Sequence, residues 1–144
     1  MVGVCDREVL MAEQLAERLG IRHFYDDVES LLRVCRPDVV HITMPPQSHF
    51  ALAKQCLKAG CHVYVEKPFK LSSSEARELI RTAEASGLKL TVGHETQFMP
   101  IAVEMRRLIR AGYLGGAPVH MESIYCYQFN DERYAKALLG DRNH

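Results

Sequence analysis

The residues best equipped for chemistry lie in Glu66-Lys67-Pro68, at the end of the apolar run Cys61-His62-Val63-Tyr64-Val65. Pro68 has no backbone N–H and disfavours helix at Lys67, so the run reads as a strand that stops there. A carboxylate and an ammonium are left at its carboxyl end, where open α/β sheets bind ligands. An ammonium beside a nicotinamide can hydrogen-bond a substrate hydroxyl and ease its proton loss during hydride transfer. Glu66 can hold that lysine or contact a ribose. Taken alone, Glu66-Lys67 reads equally well as a solvated loop pair.

Further polar residues end other apolar runs. Asp6 follows the run at 2–5. A carboxylate there can accept hydrogen bonds from ribose hydroxyls, or cap a helix beginning at residue 7 or 8. Arg7 suits an adenine face or a 2′-phosphate, or is simply exposed. His49 falls in the first turn of a helix after Pro45-Pro46, as a cofactor contact or a packed or capping ring. His94 and Glu95 follow a run at 88–92 and either reach a cleft or form a polar loop. His41 and His62 alternate within strands and read as structural, while Phe50, Met99 and Met105 fit helix cores.

These positions share one edge only if the elements behind them alternate regularly. Ala12, Leu15, Ala16 and Leu19 mark an amphipathic helix over 7–19, stopped by Gly20. His23-Phe24-Tyr25 suits a short strand. Asp26 or Asp27 caps a helix through Val34, with Leu31 and Leu32 inward. Pro37-Asp38 opens the strand Val39–Ile42, which ends at Thr43-Met44-Pro45-Pro46. A helix over 48–59 carries Phe50, Ala53 and Leu57 and ends at Gly60. Ser72 and Glu75 have capping-box spacing ahead of Ala76, Leu79, Ile80 and Ala83. Pro100 opens a last clear helix with Ile101, Met105, Leu108 and Ile109 inward, and Gly112 as its cap. Gly115-Gly116 is a hinge-like break, 119–127 reads as a longer strand and 132–139 as a helix-like piece. The alternation implies an α/β fold, a doubly wound parallel sheet whose right-handed crossovers bring Asp6, Thr43, Glu66 and Gly93 to one edge.

The totals narrow the function. The chain has 144 residues and no net formal charge, so it is about one domain without a basic surplus for nucleic acid or anionic membrane. No apolar run approaches a membrane span. Five cysteines without a C-x-x-C pair suit a reducing, cytoplasmic setting, and the scattered histidines do not suggest a metal site. No G-x-G-x-x-G occurs, and Gly112-Tyr113-Leu114-Gly115-Gly116 follows a helix rather than a strand.

In register, Val4-Cys5-Asp6-Arg7, Pro37-Asp38-Val39-Val40 and Thr43-Met44-Pro45 through His49 resemble the N-terminal domain of the Gfo/Idh/MocA oxidoreductases. So do Ala59-Gly60-Cys61-His62-Val63-Tyr64-Val65-Glu66-Lys67-Pro68, the most specific match, Leu90-Thr91-Val92-Gly93-His94 with Phe98 and Pro100, and Ile109-Arg110-Ala111-Gly112 with Leu114-Gly115. The resemblance implies a Rossmann domain for NAD or NADP over 1–116 and the beginning of an α+β substrate domain over 117–144. It implies hydride transfer on a sugar, inositol or related polyol, and pairing of copies through the second domain's sheet. Asp6 resembles the ribose-binding acid and leans towards NAD, a lean softened by Arg7. Thr43, Pro45 and His49 resemble the loop over the cofactor. Glu66 and Lys67 resemble the motif whose lysine meets nicotinamide and substrate.

The chain departs from the family pattern in three places. The family's first strand, glycine-rich loop and helix have no counterpart before Val4. In the strand order 3-2-1-4-5-6 that first strand is central, so without it two strand edges are left open. Where the family has Asn-Arg-Arg-Phe, this chain has Glu95-Thr96-Gln97-Phe98, which makes Gln97 the substrate-side residue and implies a divergent substrate. The family's catalytic Asp and His are expected beyond residue 144, and neither Asp141 nor His144 is read as catalytic. A fragment of an oxidoreductase is therefore expected, without competent cofactor binding or turnover by itself. The alternatives are a non-catalytic nucleotide-binding or regulatory module and, less well matched, a phosphorelay receiver, whose acceptor position would hold Thr43.

Overall fold

The computed structural model describes residues 1–69 and 72–124. In chain order the elements are β1 (Val4–Cys5), α1 (Val9–Leu19), β2 (Phe24–Tyr25), α2 (Val28–Cys35), β3 (Val39–Ile42) and α3 (Pro46–Lys58). They continue with β4 (His62–Val65), α4 (Ser73–Ala85), β5 (Leu90–Val92), a 3₁₀ turn (Glu95–Phe98) and α5 (Pro100–Arg110). Packing divides the chain into Met1–Gln97 and Phe98–His144, ahead of the hinge read at Gly115-Gly116.

Every strand pair is parallel, but the strands form two sheets, β1-β2 and β3-β4-β5. These are the two arms of a doubly wound order, parted between β1 and β3 where the central strand of that order would lie. The α/β class holds, as a partial Rossmann sheet. In the receiver-like order 2-1-3-4-5 the first and third strands are neighbours, whereas here β1 and β3 are not paired.

Two cores match the two sheets. Ile42, Val63 and Val65 meet Ala53, Cys56 and Leu57 of α3 and Leu79 and Ala83 of α4 in the larger one. Val4 packs with Ala12 and Ala16 of α1 in the smaller. Helix α2 joins them: it lies on β1 and β2, while Val28 and Leu32 pack against the larger core. The other face of the larger sheet is more polar, with His41 stacked on Tyr64 at 4.8 Å between ring centroids.

Several helix ends follow their sequence signals. Gly20, at φ 65°, ends α1 in the left-handed region that glycine adopts without a Cβ penalty. Asp27 is the N-cap of α2 and accepts from the Ser30 N–H at 2.7 Å, which holds its carboxyl below the usual range. The stabilising contribution is present above the unfolded-state value and fades as pH falls through the lowered folded one. Asp27→Ala is therefore expected to lower the melting temperature at neutral pH. The difference from the parent should shrink in melts taken below pH 3.8, the unperturbed value.

Other expectations need correction. Pro46 does not merely end β3 but opens α3 at its first position, where a missing N–H costs nothing. Ser72 is the N-cap of α4 but makes no side-chain cap bond; its hydroxyl pairs with that of Ser74 at 2.7 Å. Leu19 and Ile80 belong to their helical stripes yet are exposed. Helix α5 buries none of its residues, Ile101 and Met105 included. The strand read over 119–127 is absent from its described part, 119–124, and the remainder lies outside the described residues. So do the helix-like piece at 132–139, Cys126, Asp141 and His144.

Candidate functional site

Three strands of the larger sheet end in step. Ile42, Val65 and Val92 are register partners across β3, β4 and β5. The ladder runs one residue further: the Glu66 N–H donates to the Ile42 carbonyl at 2.9 Å and the Gly93 N–H to that of Val65 at 2.8 Å. Thr43, Glu66 and Gly93 are thus the first residues beyond three adjacent strand ends. The same main-chain pairing that builds the sheet brings them together.

Within that row, Lys67 is exposed and its peptide bond to Pro68 is cis. Among the described residues its ammonium has no hydrogen-bond or ion-pair partner. Glu66 does not supply one. Its Oε2 instead accepts from the Lys67 main-chain N–H at 3.2 Å. Glu66 therefore holds the lysine by its backbone and leaves the ammonium outward.

His49 is fully buried. Its Nε2 lies 2.6 Å from the Met44 carbonyl oxygen and its Nδ1 lies 3.1 Å from that of Pro68. A neutral imidazole has one N–H, so it donates to one of these carbonyls at a time. The ring bridges the turn after β3 to the turn after β4. Of the two readings of this residue, a cofactor contact or a packed ring, the geometry is that of a packed ring. Thr43 and Pro45 are exposed, and Pro45 is the N-cap of α3.

Asp6 ends β1 in the smaller sheet. Its N–H donates to the Tyr25 carbonyl at 3.1 Å, and its Oδ1 accepts from the Glu8 N–H at 2.9 Å. One oxygen thus steers the chain into α1, whose N-cap is Glu8, and the other is open to a ligand among the described residues. Arg7 is exposed. In the 3₁₀ turn, the Gln97 side-chain amide donates back to the His94 carbonyl at 3.1 Å. A pyrophosphate needs close backbone approach at a helix N-terminus, and α1 opens with Glu8 rather than a glycine turn.

The concave surfaces lie elsewhere. One runs along α4 from Ser74 to Ser86; another lies between Arg36, Asp38 and Gly60, at the amino ends of β3 and β4.

A family model described as an oxidoreductase family with an NAD-binding Rossmann fold, GFO_IDH_MocA, matches residues 1–94. The chain belongs to the Gfo/Idh/MocA oxidoreductase family. It is similar to a D-glucoside 3-dehydrogenase of Escherichia coli, with 34% identity over 80% of this chain and 33% of the relative. A UDP-N-acetylglucosamine 3-dehydrogenase of Acidithiobacillus ferrooxidans is 36% identical over 85% of this chain and 37% of the relative. An Agrobacterium radiobacter oxidoreductase, solved with NAD+, L-tartaric acid and magnesium, superimposes with a TM-score of 0.76. It is 26% identical over 81% of this chain and 34% of that one. The chain thus spans about a third of the length of the Gfo/Idh/MocA relatives it matches.

Membership in the Gfo/Idh/MocA family accounts for strand ends that sequence patterning alone leaves as loose polar loops. Two features were not read from the sequence. His49 is packed, as one of its two readings had it, but its bridging of two turns depends on both closing over it, and no local signal marks that. The folding of Glu66 towards its own backbone and Gly93 depends on the register of β5.

Proposed function

We propose that this chain forms much of the nicotinamide-dinucleotide domain of an oxidoreductase that moves hydride between the cofactor and a sugar, inositol or related polyol. The reading is carried by one observation: the sheet register sets Thr43, Glu66 and Gly93 side by side, with the exposed Lys67 ammonium between them and solvent. A bound nicotinamide would supply the hydride acceptor or donor. The chain's own part is to place charge and hydrogen-bonding groups around it.

Lys67 is the catalytic residue of this reading. Its ammonium donates to the substrate hydroxyl oxygen and stabilises the negative charge that builds there as hydride leaves the same carbon for the nicotinamide and the hydroxyl proton passes to water. Glu66 holds the lysine's main chain. Asp6, with one oxygen engaged by Glu8, offers the other to ribose hydroxyls. This arrangement favours NAD, because a carboxylate repels a 2′-phosphate, while Arg7 opposes that preference. Thr43 and Pro45 line the cofactor loop, and Gln97 stands on the substrate side. We take 1–116 as the dinucleotide domain and 117–144 as the opening of a substrate domain through which copies pair, on the family resemblance. A cytoplasmic setting is supported by free thiols at Cys5, Cys35, Cys56 and Cys61. Burial holds the Cys56 thiol up at about 12, too high for ready oxidation. No helix among the described residues is long and apolar enough to cross a membrane.

β1 and β3 are not paired with each other; in the doubly wound order one further parallel strand lies between them, and a glycine-rich turn at its carboxyl end would bring backbone N–H groups to the pyrophosphate. Calorimetric titration with NADH and NADPH tests the reading on two proteins: the 144-residue chain and a form carrying such a strand and turn ahead of it. Binding is expected only in the second, with NADH preferred. No binding to either would sink the proposal. Tight binding by the short chain, without turnover in the longer protein, would favour a non-catalytic nucleotide-binding module.

A further inference from the structure

Gly93 is buried directly beyond β5, and glycine is not required there by backbone angle, since its φ lies outside the left-handed region. The requirement is space. A Cβ on Gly93 would lie 2.8 Å from Glu66 Oε1, and 3.2 Å from both Glu66 Cδ and the Tyr64 hydroxyl. The first distance is shorter than real Cβ atoms tolerate, so the carboxylate would have to move. The Glu66 side chain thus crosses the strand end and rests on the Gly93 backbone, with Tyr64 beside it. Tyr64 is itself held by its stack on His41. From this position the second carboxylate oxygen reaches the Lys67 N–H.

We propose that Gly93 is a positioning residue: the side chain it lacks is the seat of the Glu66 carboxylate, and that seat fixes the Lys67 main chain and the direction of its ammonium. The functional part rests on the reading of Lys67 given above, whereas the seat itself does not. With the seat filled by a methyl group, the carboxylate turns outward, releases the Lys67 N–H and becomes available to pair with the Lys67 ammonium. The free cation of the site is then lost without any change at residue 67.

The test begins with two-dimensional NMR of the 144-residue chain without cofactor. Gly93→Ala is expected to move the Lys67 amide proton upfield, as for an amide that has lost its acceptor. Adding Glu66→Asp, which shortens the side chain by one methylene, is expected to return the resonance towards its original position. Adding Tyr64→Phe, which leaves the carboxylate clash in place, is expected not to. An unmoved Lys67 amide in Gly93→Ala, or rescue by Tyr64→Phe alone, overturns the proposal. Should Gly93→Ala fail to fold, the comparison moves to Glu66→Ala, where the added methyl meets no carboxylate. Glu66→Ala/Gly93→Ala is then expected to fold and melt with Glu66→Ala, and loss of folding there overturns the proposal equally. In the longer cofactor-binding form, completed with the substrate domain, Gly93→Ala should lower kcat more than it raises KM, with recovery on adding Glu66→Asp. If the NMR shifts appear as expected but kcat does not move, the seat stands and the catalytic reading of Lys67 falls.

Discussion

Lys67→Met in an enzyme completed with the length its relatives have is expected to slow hydride transfer by about 10²–10⁴-fold, the usual range for a lost acid–base group. Cofactor affinity should change little, because the proposed role puts the ammonium at the reacting hydroxyl rather than the adenosine half. Lys67→Arg should fare almost as badly: it keeps the charge, but a guanidinium neither gives up a proton near neutral pH nor presents a compact point charge. Single-turnover formation of reduced cofactor, followed by absorbance, separates the chemical step from binding. Turnover that survives Lys67→Met within a few-fold would remove the lysine from the chemistry. The prediction draws on the outward ammonium, which has no acidic partner among the described residues although Glu66 is its neighbour in the chain.

The second large effect concerns the larger core. Leu57 is 1% exposed and stands on α3 against the strand residues Ile42, Val63 and Val65. Leu57→Ala is expected to cost about 2–5 kcal/mol, the lost transfer energy of the side chain plus the cavity it leaves. Whole domains are stable by only about 5–15 kcal/mol, and this sheet is parted at its middle. The substitution should therefore bring the chain close to unfolding at room temperature. Leu19→Ala is the matched control. Leu19 is 50% exposed, so its replacement should move a urea midpoint only slightly. Equal shifts for the two variants would mean that α3 is not the helix that anchors the sheet.

What the sequence disclosed was mostly local. Glycines after helices, proline at a first helical position, and Asp27 ahead of α2 act within a few residues, and the structure follows them. The ends of β3, β4 and β5 were legible for the same reason, since Pro45, Pro68 and Gly93 interrupt short apolar runs. Patterning failed where burial depends on a partner element. Leu19 and Ile80 have the right spacing for their helices, but spacing does not say how wide the covered stripe is. Ser72 has the right type and separation from Glu75, yet its hydroxyl found Ser74 closer. The parting of the sheet was foreseen from the strand order the family resemblance implied, because no local signal reports which strands will be neighbours. The direction of Glu66 was not foreseen, because it is decided by a residue twenty-seven positions later having no side chain.

The ring of His49 has a mechanical consequence. Two carbonyls, one on the turn after β3 and one on the turn after β4, face opposite nitrogens of one rigid, buried plane. A neutral ring donates to one of these carbonyls and packs its other nitrogen against the second, so displacing either turn means moving the ring or remaking its contact. The loop that carries Thr43 and the turn that carries Lys67 are therefore linked through one side chain, although different strands deliver them. A molecule that tightens against the first would also stiffen the second, so order imposed at one strand end passes to its neighbour as geometry.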